Sequence, residues 1–333
     1  MLFDTESLTS VKFTTLSQSV SPQNSISSYT PRPKLFNVAR GLIAGVSVDN
    51  NALNIFLFNV SSRKPLYKKA LQQKFEIPIQ ARLDLVVIHE KDRPDMLVVR
   101  SDMKTFQFLN LRLQLLFNLS FPDSFQVPCL CYTNKRIITW FNGDLRLSYW
   151  HLFESKPYQT LDLPFRVREC HSLLPNRNLL ILLSSDESQL IFIDTSKSQV
   201  INTAKSPGNL LHRVINSEDR VVTSWFSFAD GECLMELYCQ LLTPEMELKT
   251  LGEIQVTGHG RTILPLCGSV FLKLTNEGVY MVEIGTEKMK SQKLERPSDE
   301  KYDSCVELEK YEKMVCVLTR ANRLLLLQIK QNE

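Results

Sequence analysis

Short apolar runs separated by polar turns occupy the chain from one end to the other, and none carries the i, i+3, i+4, i+7 stripe of a long helix. The runs are rich in Val, Ile, Leu, Phe and Tyr and are broken every few residues by Asp, Asn, Ser or Gly. This is an all-β pattern. One unit recurs: an apolar strand, a polar turn, and a second strand closing in a hydrophobic residue followed by a polar one. The second strands read IFLFN, FQFLN, LSYWH, LIFID, MELYC, VYMVE and LLLLQ, ending at Asn59, Asn110, His151, Asp194, Cys239, Glu283 and Gln328. The intervals between these ends are 51, 41, 43, 45, 44 and 45 residues.

A repeat of that length is one four-stranded blade of a β-propeller, and the longest interval exceeds it only by a small insertion. Each second strand is preceded by a partner: LIAGVS, MLVVR, RIITW, LLILL, RVVTSW, SVFLKL and MVCVL. The turns between them carry hairpin chemistry, as at Asp49-Asn50, Asn142-Gly143, Asp230-Gly231 and Asn276-Glu277-Gly278. Seven hairpins predict a seven-bladed β-propeller, with blades at approximately 34–70, 79–120, 126–161, 166–203, 210–255, 260–295 and 302–330 in one domain. After LLLLQIK there is no room for an outer strand in the last blade. Ser7 to Leu16 (SLTSVKFTTL) has the alternation to supply it, so the expected fold is closed by an N-terminal strand, residues 1–16. Residues 17–33, rich in Ser and Pro, then form a loop whose Ser21-Pro22 and Thr30-Pro31 pairs are of the kind proline-directed kinases accept.

Composition changes this picture little. At 333 residues the chain exceeds a usual single core, and repetition explains how it stays one domain. A hydrophobic share of 43% against 23% charged excludes wholesale disorder, and a net charge of +3 is too small to imply nucleic acid binding by itself. No signal-peptide pattern and no run of membrane-spanning length occurs, which leads us to expect an intracellular protein of nucleus or cytoplasm. The eight cysteines include no CxxC; even the closest pair, Cys129 and Cys131, reads as buried reduced thiols. On that reading the sequons at Asn59 and Asn118 carry no glycan.

At this point the sequence resembles the WD40 family, whose blades tend to carry a Gly-His pair early and a Trp-Asp pair at the end of the third strand. Gly258-His259 precedes Val282-Glu283 at a family-like spacing, Trp150-His151 keeps the tryptophan, and Ile193-Asp194 keeps the aspartate. The resemblance covers the whole chain as a period and little of it as a motif. In the family, the His and Asp help hold each blade through hydrogen bonds. No blade here keeps both, so the resemblance implies blades resting mainly on apolar packing between them. Kelch propellers need paired glycines, and this chain has 11 glycines and no Gly-Gly. Sialidase-type Ser-x-Asp-x-Gly boxes are also missing.

Candidate chemistry is sparse. His89, His151, His171, His212 and His259 form no HExxH or other ligand pair, and no GxSxG elbow, GxGxxG or P-loop occurs. Trp140, Trp150 and Trp225 read as packing between blades, with Trp150 set between neighbours. The innermost strands hold too few acids for a metal ring in a central channel. No cofactor is expected. The reading is a non-catalytic scaffold or adaptor subunit of an intracellular multiprotein complex. An RNA- or DNA-binding propeller subunit of a modifying complex is the alternative, and a propeller enzyme with a central-channel site is the third.

Sorting the turns by face gives the candidate sites. The turns joining second to third strands hold Asp49, Asp102, Asp144, Asp186, Glu187, Asp230, Glu232 and Glu277 against Lys104, Arg320 and Arg323. The opposite face carries Arg63, Lys64, Arg112, Lys135, Arg136, Lys156 and Lys197. A polarised disc is expected, its acidic face suited to a basic protein segment and its basic face to an acidic partner or a nucleic acid backbone.

Overall fold

The computed structural model describes residues 10–17, 34–39, 41–49, 52–59, 62, 64–72, 85–90, 93–102, 104–121, 128–133, 135–174, 178–186, 188–205, 210–217, 220–229, 232–242, 248–257, 260–267, 270–275, 279–284, 289–294, 302–307, 314–319 and 324–330. Among them the elements are 28 strands, β1 being Ser10–Ser17. The first sheet is β2 (Lys34–Ala39), β3 (Leu42–Asp49), β4 (Ala52–Asn59) and β5 (Lys64–Gln72). The next is β6 (Leu85–Glu90), β7 (Arg93–Arg100), β8 (Thr105–Asn110) and β9 (Leu115–Ser120). Then come β10 (Pro128–Thr133), β11 (Arg136–Phe141), β12 (Arg146–His151) and β13 (Gln159–Asp162). β14 (Val167–Leu174), β15 (Leu179–Ser184), β16 (Gln189–Asp194) and β17 (Gln199–Lys205) make another. β18 (Leu210–Ser217), β19 (Arg220–Ala229), β20 (Glu232–Leu242) and β21 (Leu248–Thr257) follow. Next are β22 (Gly260–Cys267), β23 (Val270–Thr275), β24 (Val279–Ile284) and β25 (Met289–Leu294). The last sheet has the order β1-β28-β27-β26, with β26 at Tyr302–Glu307, β27 at Met314–Thr319 and β28 at Leu324–Lys330. Among the described residues there are thus seven antiparallel four-stranded sheets, and no helix is long and apolar enough to cross a membrane.

The chain divides into two compact units. In the unit built on β6 to β21, sheets stack face to face, and this explains why strands such as MLVVR and LLILL do not alternate. A strand buried on both faces needs apolar side chains in both directions. The sheet β10–β13 shows it. Leu130, Ile137 and Trp150 pack with Ile88, Met96, Val98, Phe106, Phe108 and Leu119 of the preceding sheet. From its other face Cys131, Ile138, Trp140, Leu147 and Tyr149 pack with Val167, Leu180, Leu182, Ile191 and Ile193 of the following one. Every residue of β15 is buried. Each such Leu or Ile contributes about 1.5–3 kcal/mol of burial. Trp150 lies between two sheets, and its indole N–H donates to Thr139 Oγ1 at 2.8 Å, so its one polar atom is satisfied in the core. Trp140 Nε1 and the hydroxyls of Tyr149, Thr133 and Ser198 are buried without a hydrogen-bond partner. In the same unit β14 and β18, the first strands of their sheets, lie side by side.

In the other unit β1 pairs with β28 antiparallel, from Ser10↔Lys330 to Ser17↔Leu324. Ser7–Thr9 of the proposed closing segment, and all of the Ser/Pro-rich stretch except Ser17, lie outside the described residues. The first strands β2 and β26, and β22 and β26, are neighbours. Gly45 of β3 stands opposite Phe56 of β4, and a Cβ built on Gly45 would lie 1.8 Å from the Phe56 ring. The tip of the ring occupies the space that a Cβ at position 45 would take, and Phe56 is 6% exposed.

With few glycines in the chain, its turns enter left-handed backbone through other residues. Lys135 (φ 61°) and Asn178 (φ 52°) each stand directly before the second strand of a sheet, in the place Gly41 (φ 71°) takes before β3. Leu113 (φ 60°), Phe153 (φ 67°) and Ser198 (φ 53°) sit in turns between third and fourth strands. Each of these costs of order 1 kcal/mol and persists because neighbouring contacts fix it.

Candidate interaction surface

Antiparallel pairing sends the first-to-second and third-to-fourth turns to one end of each sheet and the second-to-third turns to the other. At the former end, the polar residue that closes the third strand of three sheets has a structural task. Asn59 Oδ1 accepts from Ser62 N–H at 2.8 Å. Asn110 Oδ1 accepts from the N–H groups of Arg112 and Gln114, both at 2.9 Å, while its Nδ2 donates to Gln114 Oε1 at 2.9 Å. Asp194 Oδ1 accepts from Ser196 N–H at 2.8 Å and Lys197 N–H at 3.0 Å. Short polar side chains at this position therefore fasten the turn that follows. His151 does otherwise: its ring stacks on Tyr158, centroids 4.1 Å apart. Burial pushes the Asp194 carboxyl up, but hydrogen bonds from Ser196 and Lys197 outweigh it and hold the group below the usual carboxylate range.

The basic candidates at this end differ in availability. Arg112, Lys135, Lys156 and Lys197 are exposed, with Lys197 Nζ 4.0 Å from Asp194 Oδ2. Arg136 is a clamp: its guanidinium donates to the carbonyls of Thr195 at 3.2 Å and Ser196 at 3.4 Å, joining β11 to the turn after β16. Lys64 opens β5, and Arg63 lies outside the described residues. Arg93, which opens β7, belongs to this end as well. Arg93 Nε is 3.4 Å from Glu90 Oε2, and its guanidinium lies 5.5 Å over the ring of Phe153. Glu90 also accepts from the Tyr132 hydroxyl, which is shifted upward by burial and by that bond. Phe153, 38% exposed, makes edge contacts with Phe108 at 6.3 Å and Phe117 at 5.7 Å. These groups come from separate strands and turns of two sheets, and no local motif announces them.

At the opposite end the acidic candidates serve their own turns. Asp102 Oδ1 accepts from Lys104 N–H at 2.7 Å. Asp186 accepts from the Ser184 hydroxyl, from Ser188 Oγ at 2.7 Å and from Ser188 N–H at 3.1 Å, and these bonds hold its carboxyl below the usual range. Asp144 ties its turn to the next sheet, its carbonyl accepting from Val167 N–H at 3.0 Å. Asp49 closes β3 and Glu232 opens β20, so both belong to strands; Glu187, Asp230 and Glu277 lie outside the described residues. The connections between sheets run at this end too, as Leu163 N–H to Leu145 O at 2.7 Å and Ser185 N–H to Arg166 O at 2.6 Å demonstrate. They bring exposed Arg166 and the pair Arg146–Asp162, at 3.0 Å, among the acids.

Among the described residues no group of three or more His, Cys, Asp or Glu is placed to hold a metal ion. Cys129 and Cys131 stand outside any disulfide.

No family model matches the chain, and no curated protein matches it in sequence. Solved structures do match it in fold. The WD40 domain of Pan2 from Neurospora crassa superposes with a TM-score of 0.65 at 8% identity, over 95% of this chain and 94% of that one. The β-propeller domain of Cps50 (Swd1) from Myceliophthora thermophila gives 0.61 at 11% identity, over 92% and 99%. A chain of the mitotic checkpoint complex gives 0.65 at 9% identity, over 99% of each. The fold is therefore that of a WD40-type β-propeller. Few of the residues that mark WD40 blades accompany that fold in this chain.

Proposed function

We propose that the chain is one closed seven-bladed propeller, β1 completing the blade of β26 to β28, and that it serves as a non-catalytic scaffold holding partner proteins in an intracellular complex. The observation that carries this reading is the strand order β1-β28-β27-β26 beside six further four-stranded sheets, together with fold neighbours that include a chain of a named multiprotein assembly. A disc whose strands are spent on packing leaves its turns free for contacts. The exposed cations Arg112, Lys135 and Lys156 suit an acidic surface of such a partner.

Closure is tested by removing residues 1–17. A shortened chain that melts well below the parent supports it, because β28 would lose its outer ladder and expose an edge. An unchanged melting temperature would sink it. The scaffold role is tested separately by isolating the protein from native extract and identifying what co-purifies in stoichiometric amount, where recovery of the chain alone counts against the reading.

A further inference from the structure

We propose that β9 is a docking edge, which takes up an extended apolar segment of a partner protein, flanked by acidic residues, as an added strand. The proposal shares with the scaffold reading the premise of a protein partner and does not need the ring to be closed.

Outer strands present a row of unpaired backbone groups, and proteins blunt them with charge or proline. Six of the seven outer strands follow this rule, with Lys12 on β1, Lys68 on β5, Asp162 on β13, Lys205 on β17, Lys249 on β21 and Lys290 on β25. β9, LLFNLS, alone has no charged residue and no proline. It is also apolar where it faces outward: Leu115 and Leu116 are each 48% exposed, the largest exposure of any apolar side chain described, shared only with Leu145. Among the described residues β9 pairs with β8 alone. The ladder shifts register at Leu116, and from Phe117 to Ser120 it runs regularly, so a partner strand would find a regular edge there.

The chemistry of the occupant follows from the chemistry of the edge. Alternating N–H and C=O groups at strand spacing are matched by another extended polypeptide, and a nucleic acid offers no such ladder. Beside β9, the exposed ring of Phe153 lies against Phe117 and carries the Arg93 guanidinium on its face, extending the apolar strip onto the next sheet. Arg112 stands exposed just before the strand begins. Apolar side chains of the added strand would therefore meet Leu115, Leu116 and Phe153, and a flanking carboxylate would meet Arg112.

The test pans a library of short random peptides on the intact chain and measures the enriched peptides against two variants. Leu115→Lys with Leu116→Lys restores the missing edge charge at exposed positions, and its melting temperature should match the parent. Arg112→Glu removes the flanking cation. The expected result is a set of β-prone peptides with acidic ends, weakened about tenfold or more by the lysine pair and made less salt-sensitive by Arg112→Glu. Enriched peptides that bind the lysine variant as well as the parent overturn the proposal while leaving the scaffold reading standing. So does the absence of any enriched peptide. Concentration-dependent dimerisation of the parent that the lysine pair abolishes would make the occupant a second copy of this chain, and overturns it as well. If the lysine pair lowers the melting temperature, Asn118→Lys, also exposed on β9, replaces it in the same measurement.

Discussion

At the scale of single residues, Trp150 and Tyr149 sit next to each other on β12 and face different cores. Trp150 is 6% exposed, touches the Phe121 ring edge-on at 5.6 Å and satisfies its N–H on Thr139. Trp150→Ala should destabilise by about 3–5 kcal/mol in chemical denaturation, as removal of a large core side chain does. A stability equal to the parent would place the ring at a contact surface instead. Tyr149 brings a hydroxyl into the other core, facing Ser198 outside hydrogen-bond geometry. Burial pushes this phenol up to about 12. The unfolded chain ionises it near the ordinary tyrosine value, around 10, so between these values the unfolded state holds fewer protons and stability falls as pH rises. Tyr149→Phe should leave stability near neutral pH little changed and reduce the loss across that alkaline window, read as melting temperature against pH. An alkaline loss of the same size in the variant would assign it to other groups.

At the scale of elements, the closing residue of the third strand decides how the next turn is held. Asn110→Ala removes the acceptor of two backbone N–H groups and should cost about 1–2 kcal/mol. His151→Ala offers a contrast, since it loses a stacked ring and no turn-fastening bond. Equal effects of the two changes on thermal unfolding would contradict the distinction. These residues also show what the sequence made legible. In the sheets of β6–β9, β10–β13 and β14–β17 the second and third strands bury apolar side chains on both faces. Asn59, Asn110, His151 and Asp194 end β4, β8, β12 and β16 where the hydrophobic runs place them, whereas β20, β24 and β28 run on past Cys239, Glu283 and Gln328 to Leu242, Ile284 and Lys330. Fourth strands such as QTLD and QVINTAK lie at the outside, bury little, and leave no hydrophobic mark to read. The candidate surface was legible as a list of charges and not as a set of free ones. Whether an Asp reaches a partner or fastens its own turn depends on Ser184 and Ser188 around Asp186. Whether an Arg is available depends on carbonyls such as Thr195 O, which is 59 residues from Arg136 in the chain.

At the scale of the whole molecule, the charge prediction should be tested with the groups the structure leaves exposed. Replacing Arg112, Lys135 and Lys156 by Glu should weaken a co-purified acidic partner and flatten the salt dependence of its binding without lowering the melting temperature. Arg136→Glu belongs to a different experiment, because it breaks the clamp onto Thr195 and Ser196 and should destabilise the fold. Binding indifferent to salt in the parent would remove electrostatics from recognition. The β1–β28 ladder has a mechanical consequence as well. Its first rung is Ser10↔Lys330 and its last is Ser17↔Leu324, so Ser10 and Lys330 lie side by side at one end of the pair. Tension applied through these two residues loads that first rung alone and opens the ladder one hydrogen bond at a time, like a zipper, where a parallel pair would shear all its rungs together. A force probe attached at Ser10 and Lys330 should therefore register this strand peeling away at low load before the rest of the protein yields, which makes the pair that completes the sheet its softest joint under tension.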